Sequence, residues 1–188
     1  MQGNSKCQAL YADERLNKYR HPIPTEHKVE KYVMVAICAQ KYGLTVSITR
    51  MISFGQPDED KAKRMSAVAR VDAAYILNTK PGVETEYVLQ QGKTVYAAEG
   101  YGHDFHLHHQ GGALGYLTRD YCTNFSNSEK VLNKQAFSWN PTIAGVKAED
   151  TFLVMGDTQE VISHTGSWAY EEVTINGQKI LRPVIWVK

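Results

Sequence analysis

Four of the seven histidines fall close together, at His103, His106, His108 and His109, just before Gln110-Gly111-Gly112. Imidazole is the commonest transition-metal ligand and the usual acid–base group near neutral pH, so this cluster is the first candidate for chemistry. Read as a strand, the segment points His106 and His108 to one face and His109 to the other, so the histidines do not all meet one ion. The spacing matches no closed zinc motif, and no cysteine pair lies beside it. Two readings stay open on composition: a surface cluster with one buried, hydrogen-bonded member, or a site for catalysis or metal. Glu149-Asp150, between the apolar segment 135–143 and Thr151-Phe152-Leu153-Val154, is the second candidate. A carboxylate there can be a capped or salt-bridged structural group, or can face a pocket, because strand ends and adjoining loops commonly line sites. Arg50 and Arg119, each preceded by a threonine, have the fork that orients a carboxylate, or else pair with neighbouring acids.

The elements that must position these residues read as strands, two helices, then strands. Gln8 to Ala12 is a short apolar run with strand character, and Pro22 and Pro24 hold the Tyr19–Thr25 stretch extended and non-helical. Lys31 to Ala39 is nearly continuously apolar. After a turn at Gln40-Lys41-Tyr42-Gly43, Leu44, Val46 and Ile48 alternate with Thr45, Ser47 and Thr49, which predicts a β-hairpin. From Pro57-Asp58, the residues Met65, Val68, Val71 and Tyr75 recur at helical spacing, up to a break at Lys80-Pro81-Gly82. Its first-turn acids and the following Lys61, Lys63 and Arg64 are a solvated face. A second helix is expected over Glu84–Ala98, stopped by Gly100, with strands and turns from His103 onward. Asn176-Gly177 between Val173-Thr174-Ile175 and Ile180-Leu181 predicts a two-residue hairpin turn. This order is α+β rather than alternating βαβ.

The whole 188-residue chain fits one domain, 43% hydrophobic and 22% charged, with a formal net charge of +1. That balance offers no footprint for nucleic acid or an anionic membrane surface. No stretch approaches the roughly 20 apolar residues of a membrane-spanning helix, and the polar Met1–Lys6 start lacks a signal-peptide apolar region. Cys7, Cys38 and Cys122 are odd in number and widely spaced, which argues against a disulfide framework and for a reduced, cytoplasmic setting.

Several motifs, taken in order, resemble the catalytic domain of the pita-bread superfamily, the group of methionine aminopeptidase, aminopeptidase P, prolidase and creatinase. His21 precedes a buried strand. Gly43 to Arg50 followed by Phe54-Gly55 is similar to the superfamily's Gly-Tyr-x-x-Asp-x-Thr-Arg…Gly strand. Lys80-Pro81-Gly82, Gly100-Tyr101, His109 to Gly112, Phe137 to Pro141 and Glu149-Asp150-Thr151 continue the likeness, which runs from about His21 to Val154. Asp13-Glu14-Arg15, Tyr19 to Thr25, His108 to Gly112, Gly115-Tyr116 and Thr118-Arg119 resemble a bacterial subgroup described as peptidases. The resemblance implies a curved, mostly antiparallel sheet with two main helices, a core over about 19–155, and C-terminal strands over 156–188.

Peptidases of this fold hold two metal ions on two aspartates, one histidine and two glutamates. On this chain those positions fall at Cys38, Ser47, His109 (or His108, with a one-residue slip), Asn140 and Glu149. Two hard dications bridged by water need several carboxylates, so a conventional dinuclear metallopeptidase and its metal cofactor are not expected. Creatinase is the metal-free precedent. It implies hydrolysis of a C–N bond in a small peptide, amide or guanidino ligand. His21 would be general acid/base, His109 a second acid/base or oxyanion donor, and Glu149 the carboxylate that orients an imidazole and docks an amine or guanidinium. His108, Arg119 and Arg50 would bind substrate. The alternatives are a non-catalytic pseudo-peptidase that binds a peptide or protein, and a single divalent metal on His109 and Glu149 with a neighbouring histidine. Cys38, expected to be buried in an apolar strand, would be an inert core residue. Only about 20 residues precede His21, so the domain is expected to be N-terminally shortened, with one apolar sheet face left open. A homodimer, or a missing segment of a longer protein, would cover it, with help from Trp168 and Trp186.

Overall fold

A computed structural model describes residues 4–23 and 25–188. The chain runs β1 (Asn4–Ala12), a short α1 (Glu14–Lys18), β2 (Tyr32–Lys41), β3 (Leu44–Ser53), α2 (Glu59–Asn78) and α3 (Thr85–Ala98). A 3₁₀ turn over Asp104–Leu107 leads to β4 (Gly111–Leu114), β5 (Ala136–Trp139), β6 (Thr142–Ile143), β7 (Val146–Lys147), β8 (Asp150–Met155) and β9 (Thr158–Val161). β10 (Tyr170–Ile175), β11 (Gln178–Pro183) and β12 (Trp186–Val187) close it. The fold is α+β with mostly antiparallel sheets. One is ordered β1-β2-β3-β12 and another β4-β5-β8-β9, with β6-β7 and β10-β11 as separate pairs. Only the short β12–β3 pairing is parallel among the described residues.

The β2–β3 hairpin sets the geometry of everything else. Directly opposed residues share a face, so the register Met34↔Met51, Ala36↔Thr49 and Cys38↔Ser47 makes one side of the hairpin. Its lower end, Met34 and Met51, is buried against α2 residues Met65, Val68 and Val71. Its upper end carries Cys38 and Ser47 into the site. Each fully buried valine of that contact stabilises by roughly 1.5–3 kcal/mol. The other side, Val35, Ile37 and Ile48, is only half-buried, and Leu10 of β1 is 69% exposed.

α2 starts where Asp58 accepts the amide of Lys61 at 2.8 Å, and Tyr32 donates to the same carboxylate at 2.6 Å. α2 and α3 approach closely at Gly92, where a Cβ would lie 2.0 Å from the buried Tyr75 ring. Tyr75 in turn stacks on Trp139 at 4.8 Å. β10 and β11 pair across Asn176-Gly177 as expected, and Val173 packs on Ala69 and Ala73 of α2. Arg182 of β11 is wholly buried and bridges Asp72 of α2 to Asp150 of β8. Trp168 and Trp186 meet edge to face at 4.8 Å.

Three expectations are corrected. Lys61, read as part of a solvated face, is buried at 5% exposure and donates to Asn17 Oδ1 at 2.8 Å; Pro24 lies outside the described residues. The histidine segment is a 3₁₀ turn followed by an extended residue, so strand alternation does not apply to it. Cys38 is half-buried, and its Sγ lies 3.3 Å from Ser47 Oγ, so it is a polar neighbour of the site rather than core packing.

Candidate active site

The segment 19–31 carries His21 across the fold, and a buried-edge carboxylate holds it. Asp13 Oδ1 accepts the amides of Lys31 at 2.8 Å and Tyr32 at 2.7 Å, while Oδ2 accepts the Glu30 amide at 2.9 Å and contacts His27 Nε2 at 2.9 Å. Burial alone would raise this carboxyl, but the three amides outweigh it and hold Asp13 at about 2. Arg15 donates to the Ile23 carbonyl at 3.1 Å. Arg20 forms an ion pair with Asp104 of the 3₁₀ turn, beside the histidine cluster.

These links deliver His21 Nε2 to 2.8 Å from His108 Nε2. The two rings stack at 4.8 Å, and His108 stacks on His109 at 4.5 Å. His108 Nδ1 lies 2.6 Å from the His109 carbonyl oxygen. That oxygen only accepts, so Nδ1 carries the proton and the neutral ring turns a bare Nε2 towards His21. Gly111 then brings β4 against β5, for its φ is +107° and a Cβ would lie 2.3 Å from the Ser138 carbonyl. His109 is thereby held at the rim of the sheet. His103 and His106 stay outside the cluster, with His106 against the edge of Phe105 at 5.0 Å.

Glu149 is buried at 4% exposure. Its Oε1 accepts from Arg119 at 2.9 Å and Ser138 at 3.4 Å. Its Oε2 accepts from Thr49 at 2.6 Å and faces Lys147 Nζ at 3.5 Å. Burial would raise this carboxyl, but Lys147 and then Arg119 outweigh it and hold it at about 2. Arg119 also donates to Ser47 Oγ at 3.2 Å, which continues the chain to Cys38. Two cations around one carboxylate leave this clasp net positive. Burial first, then Lys147, lowers His21; burial, Lys147 and the other histidines lower His108 to about 3. Burial, Arg119 and Lys147 lower His109 to about 4. All three imidazoles are thus neutral at physiological pH.

His21, His108, His109, Arg119, Glu149, Cys38 and Ser47 therefore occupy one region. Glu149 differs in what it touches: its carboxylate is committed to Arg119, Lys147, Thr49 and Ser138, not to an imidazole, and it has no free charge for an amine. Arg50 does not belong to the site. It is buried behind β3, donating to Asp150 at 2.7 Å and to the Thr49 and Glu149 carbonyls. Lys147 was legible in principle, because an i, i+2 pair on an extended segment shares a face with Glu149. Asp13 and Arg20 lie in motifs that carry the resemblance, but their roles were not legible, since their partners lie 14 or more residues away. A cavity of about 900 Å³ adjoins the cluster, walled by Tyr11, Pro22, Ile23, Val29, Val35 and His21.

The dinuclear metal group does not fit these residues. At three positions that the sequence resemblance gives to its carboxylates stand a thiol, a hydroxyl and a carboxamide, and the carboxylate of Glu149 is already bonded by two cations and a hydroxyl. Asn140 Oδ1, buried and without a hydrogen-bond partner among the described residues, supplies no charge.

Residues 13–155 match the model of metallopeptidase family M24. An uncharacterized peptidase of Staphylococcus aureus (strain MW2) is 24% identical over 161 residues, covering 82% of this chain and 46% of the relative. A dipeptidase from Pyrococcus horikoshii OT3 superposes with a TM-score of 0.75 at 22% identity, covering 84% of this chain and 46% of that one. Dipeptidase PepE from Mycobacterium ulcerans gives 0.75 at 21% identity, covering 85% and 45%. The chain spans less than half the length of these relatives, and the two solved structures share its fold.

Proposed function

The chain belongs to metallopeptidase family M24, and from that premise we propose that it hydrolyses the C–N bond of a small peptide or amide without a dinuclear metal pair. The observation that carries this reading is the meeting of three neutral imidazoles beside the net-positive clasp of Arg119, Lys147 and Glu149. A neutral amide or a carboxylate-bearing peptide suits that charge; a guanidinium or amine does not. The cavity beside His21 offers its apolar wall to the substrate's side chain.

In the reaction, neutral His109 takes a proton from the attacking water. The amide oxygen becomes an oxyanion beside the positive charge of Arg119, whose buried Nε lacks a partner among the described residues. As the C–N bond breaks, the proton on His109 passes through solvent to the bare ring nitrogen of His21, which gives its Nε2 proton to the leaving nitrogen; an acid and an amine leave and both rings end neutral.

The test is turnover of dipeptides and N-acyl amino acids by protein stripped with EDTA, with guanidino compounds as the contrasting panel. His21→Ala is expected to lower kcat by about 10²–10⁴-fold, the range for removing a general acid or base. Turnover that vanishes with EDTA, or survives His21→Ala intact, overturns the proposal. Peptides that raise the melting temperature but are never cleaved would instead establish the non-catalytic, peptide-binding reading.

A further inference from the structure

We propose that His21, His108 and His109 form a mononuclear transition-metal site, separate from the carboxylate positions and independent of the hydrolytic reading. One ligand nitrogen from each of the three lies within 4.8 Å of the others. Metal–nitrogen bonds of about 2.0–2.1 Å place tetrahedral donors roughly 3.4 Å apart. The 2.8 Å between His21 Nε2 and His108 Nε2 lies below that spacing and no pair of the three exceeds 4.8 Å, so the rings turn by roughly an ångström at their nitrogens to take an ion. The second requirement is a fixed tautomer. A metal-binding histidine usually donates its other ring N–H to a carbonyl or carboxylate, and His108 Nδ1 does this at 2.6 Å to the His109 carbonyl.

The donor set selects the ion. Three imidazoles with no carboxylate suit Zn²⁺, Co²⁺, Ni²⁺ or Cu²⁺ and reject Mg²⁺, Ca²⁺ and Mn²⁺. Position also matters: His21 rides on the 19–31 segment, so the ion would tie that segment to the start of β4. Cys122 Sγ, 3.9 Å from His109 Nδ1, is the nearest soft donor to a fourth position. Lys147 and Arg119 act against any dication here, as they act against protonation. The same charges favour an anionic fourth ligand, such as hydroxide or chloride, and argue for exchangeable rather than permanent binding. The ring nitrogens that would bind metal are those proposed for proton transfer, so a loaded site would be silent as a hydrolase. Metal binding itself stands or falls without any activity.

Chelator-treated protein is titrated with Co²⁺, followed by its visible d–d absorption, and with Zn²⁺ in competition with a chromophoric chelator. One equivalent is expected for each, with no competition from millimolar Mg²⁺. His21→Ala and His108→Ala should each weaken binding by about tenfold or more, on the scale of the roughly 10–100-fold losses seen even for outer-shell partners. His106→Ala, exposed and outside the cluster, should bind as the parent does. Circular dichroism checks that the substitutions leave the fold intact. Absence of binding, or binding undiminished in either His21→Ala or His108→Ala, overturns the site. Persistence in both with loss in His109→Ala would place the ion at the family's carboxylate positions instead.

Discussion

Glu149 shows how one residue can keep its identity while its partners change its role. A carboxylate in contact with Arg119 at 2.9 Å, Thr49 at 2.6 Å and Lys147 at 3.5 Å has no capacity left for a dication. The two side-chain cations supply the positive charge that metal ions supply in a dinuclear site. Substitution exposes the dependence. In Glu149→Ala, Arg119 and Lys147 are left as like charges, each about 10% exposed, with no counter-charge. Breaking a buried pair from one side costs about 3–5 kcal/mol, because the orphaned charge has lost its water. An unfolding free energy from urea denaturation within about 1 kcal/mol of the parent would mean that the clasp is solvated and its charge ineffective. The double substitution Glu149→Gln with Lys147→Met should recover much of the loss, since it removes charge from both sides.

At the scale of elements, the position of His21 depends on a latch rather than on a strand or helix of its own. Asp13, just ahead of α1, collects three amides and one imidazole from residues 27–32, and Arg20 fixes the other end of the segment to Asp104. In Asp13→Ala those donors return to water. The expected cost is about 1–3 kcal/mol, the range for stranding donors to a charged acceptor, together with a loss of any His21-dependent turnover. Hydrogen exchange checks this locally: the amides of Glu30, Lys31 and Tyr32 should exchange faster while those of α2 do not. Unchanged exchange at all three would show the latch to be incidental. The contrast with what sequence reveals follows the same line. The β2–β3 hairpin, α2, α3 and the Asn176-Gly177 hairpin are written in local periodicity or turn chemistry, and the structure has them. The meeting of His21 with His108 spans 87 positions and rests on Asp13 and Arg20, whose motifs do not name their distant partners. Arg50 misled for the same reason: its spacing from Thr49 is local, but its partner Asp150 is 100 residues away.

Across the whole molecule, a formal charge of +1 conceals titrating groups that pull stability in opposite directions with pH. Burial lowers His21, His108, His109 and His164 from the ordinary 6.5. The unfolded chain takes up protons near 6.5 that the folded chain refuses, so these groups remove stability as pH falls below 6.5. The loss continues until the folded sites titrate, near 4 for His109 and near 3 for His108. Asp72 works the other way: burial, against the pull of Arg182, raises it from 3.8 to about 6, and Glu171 is raised by burial too. Their folded carboxyls bind protons before the unfolded ones do, which adds stability over the same interval. Four histidines stand against two carboxyls, so a net decline is expected from pH 6.5 to 4.5. Below that, Glu149 and Asp13, both held at about 2, add their own losses as pH falls through and below their ordinary values of 4.5 and 3.8. Urea midpoints measured from pH 7.5 to 4.5 at fixed ionic strength should therefore fall steadily below 6.5, and His108→Gln should flatten the slope. A midpoint that rises over that interval would put Asp72 and Glu171 in control, and would require the stacked histidines to accept protons in the folded state.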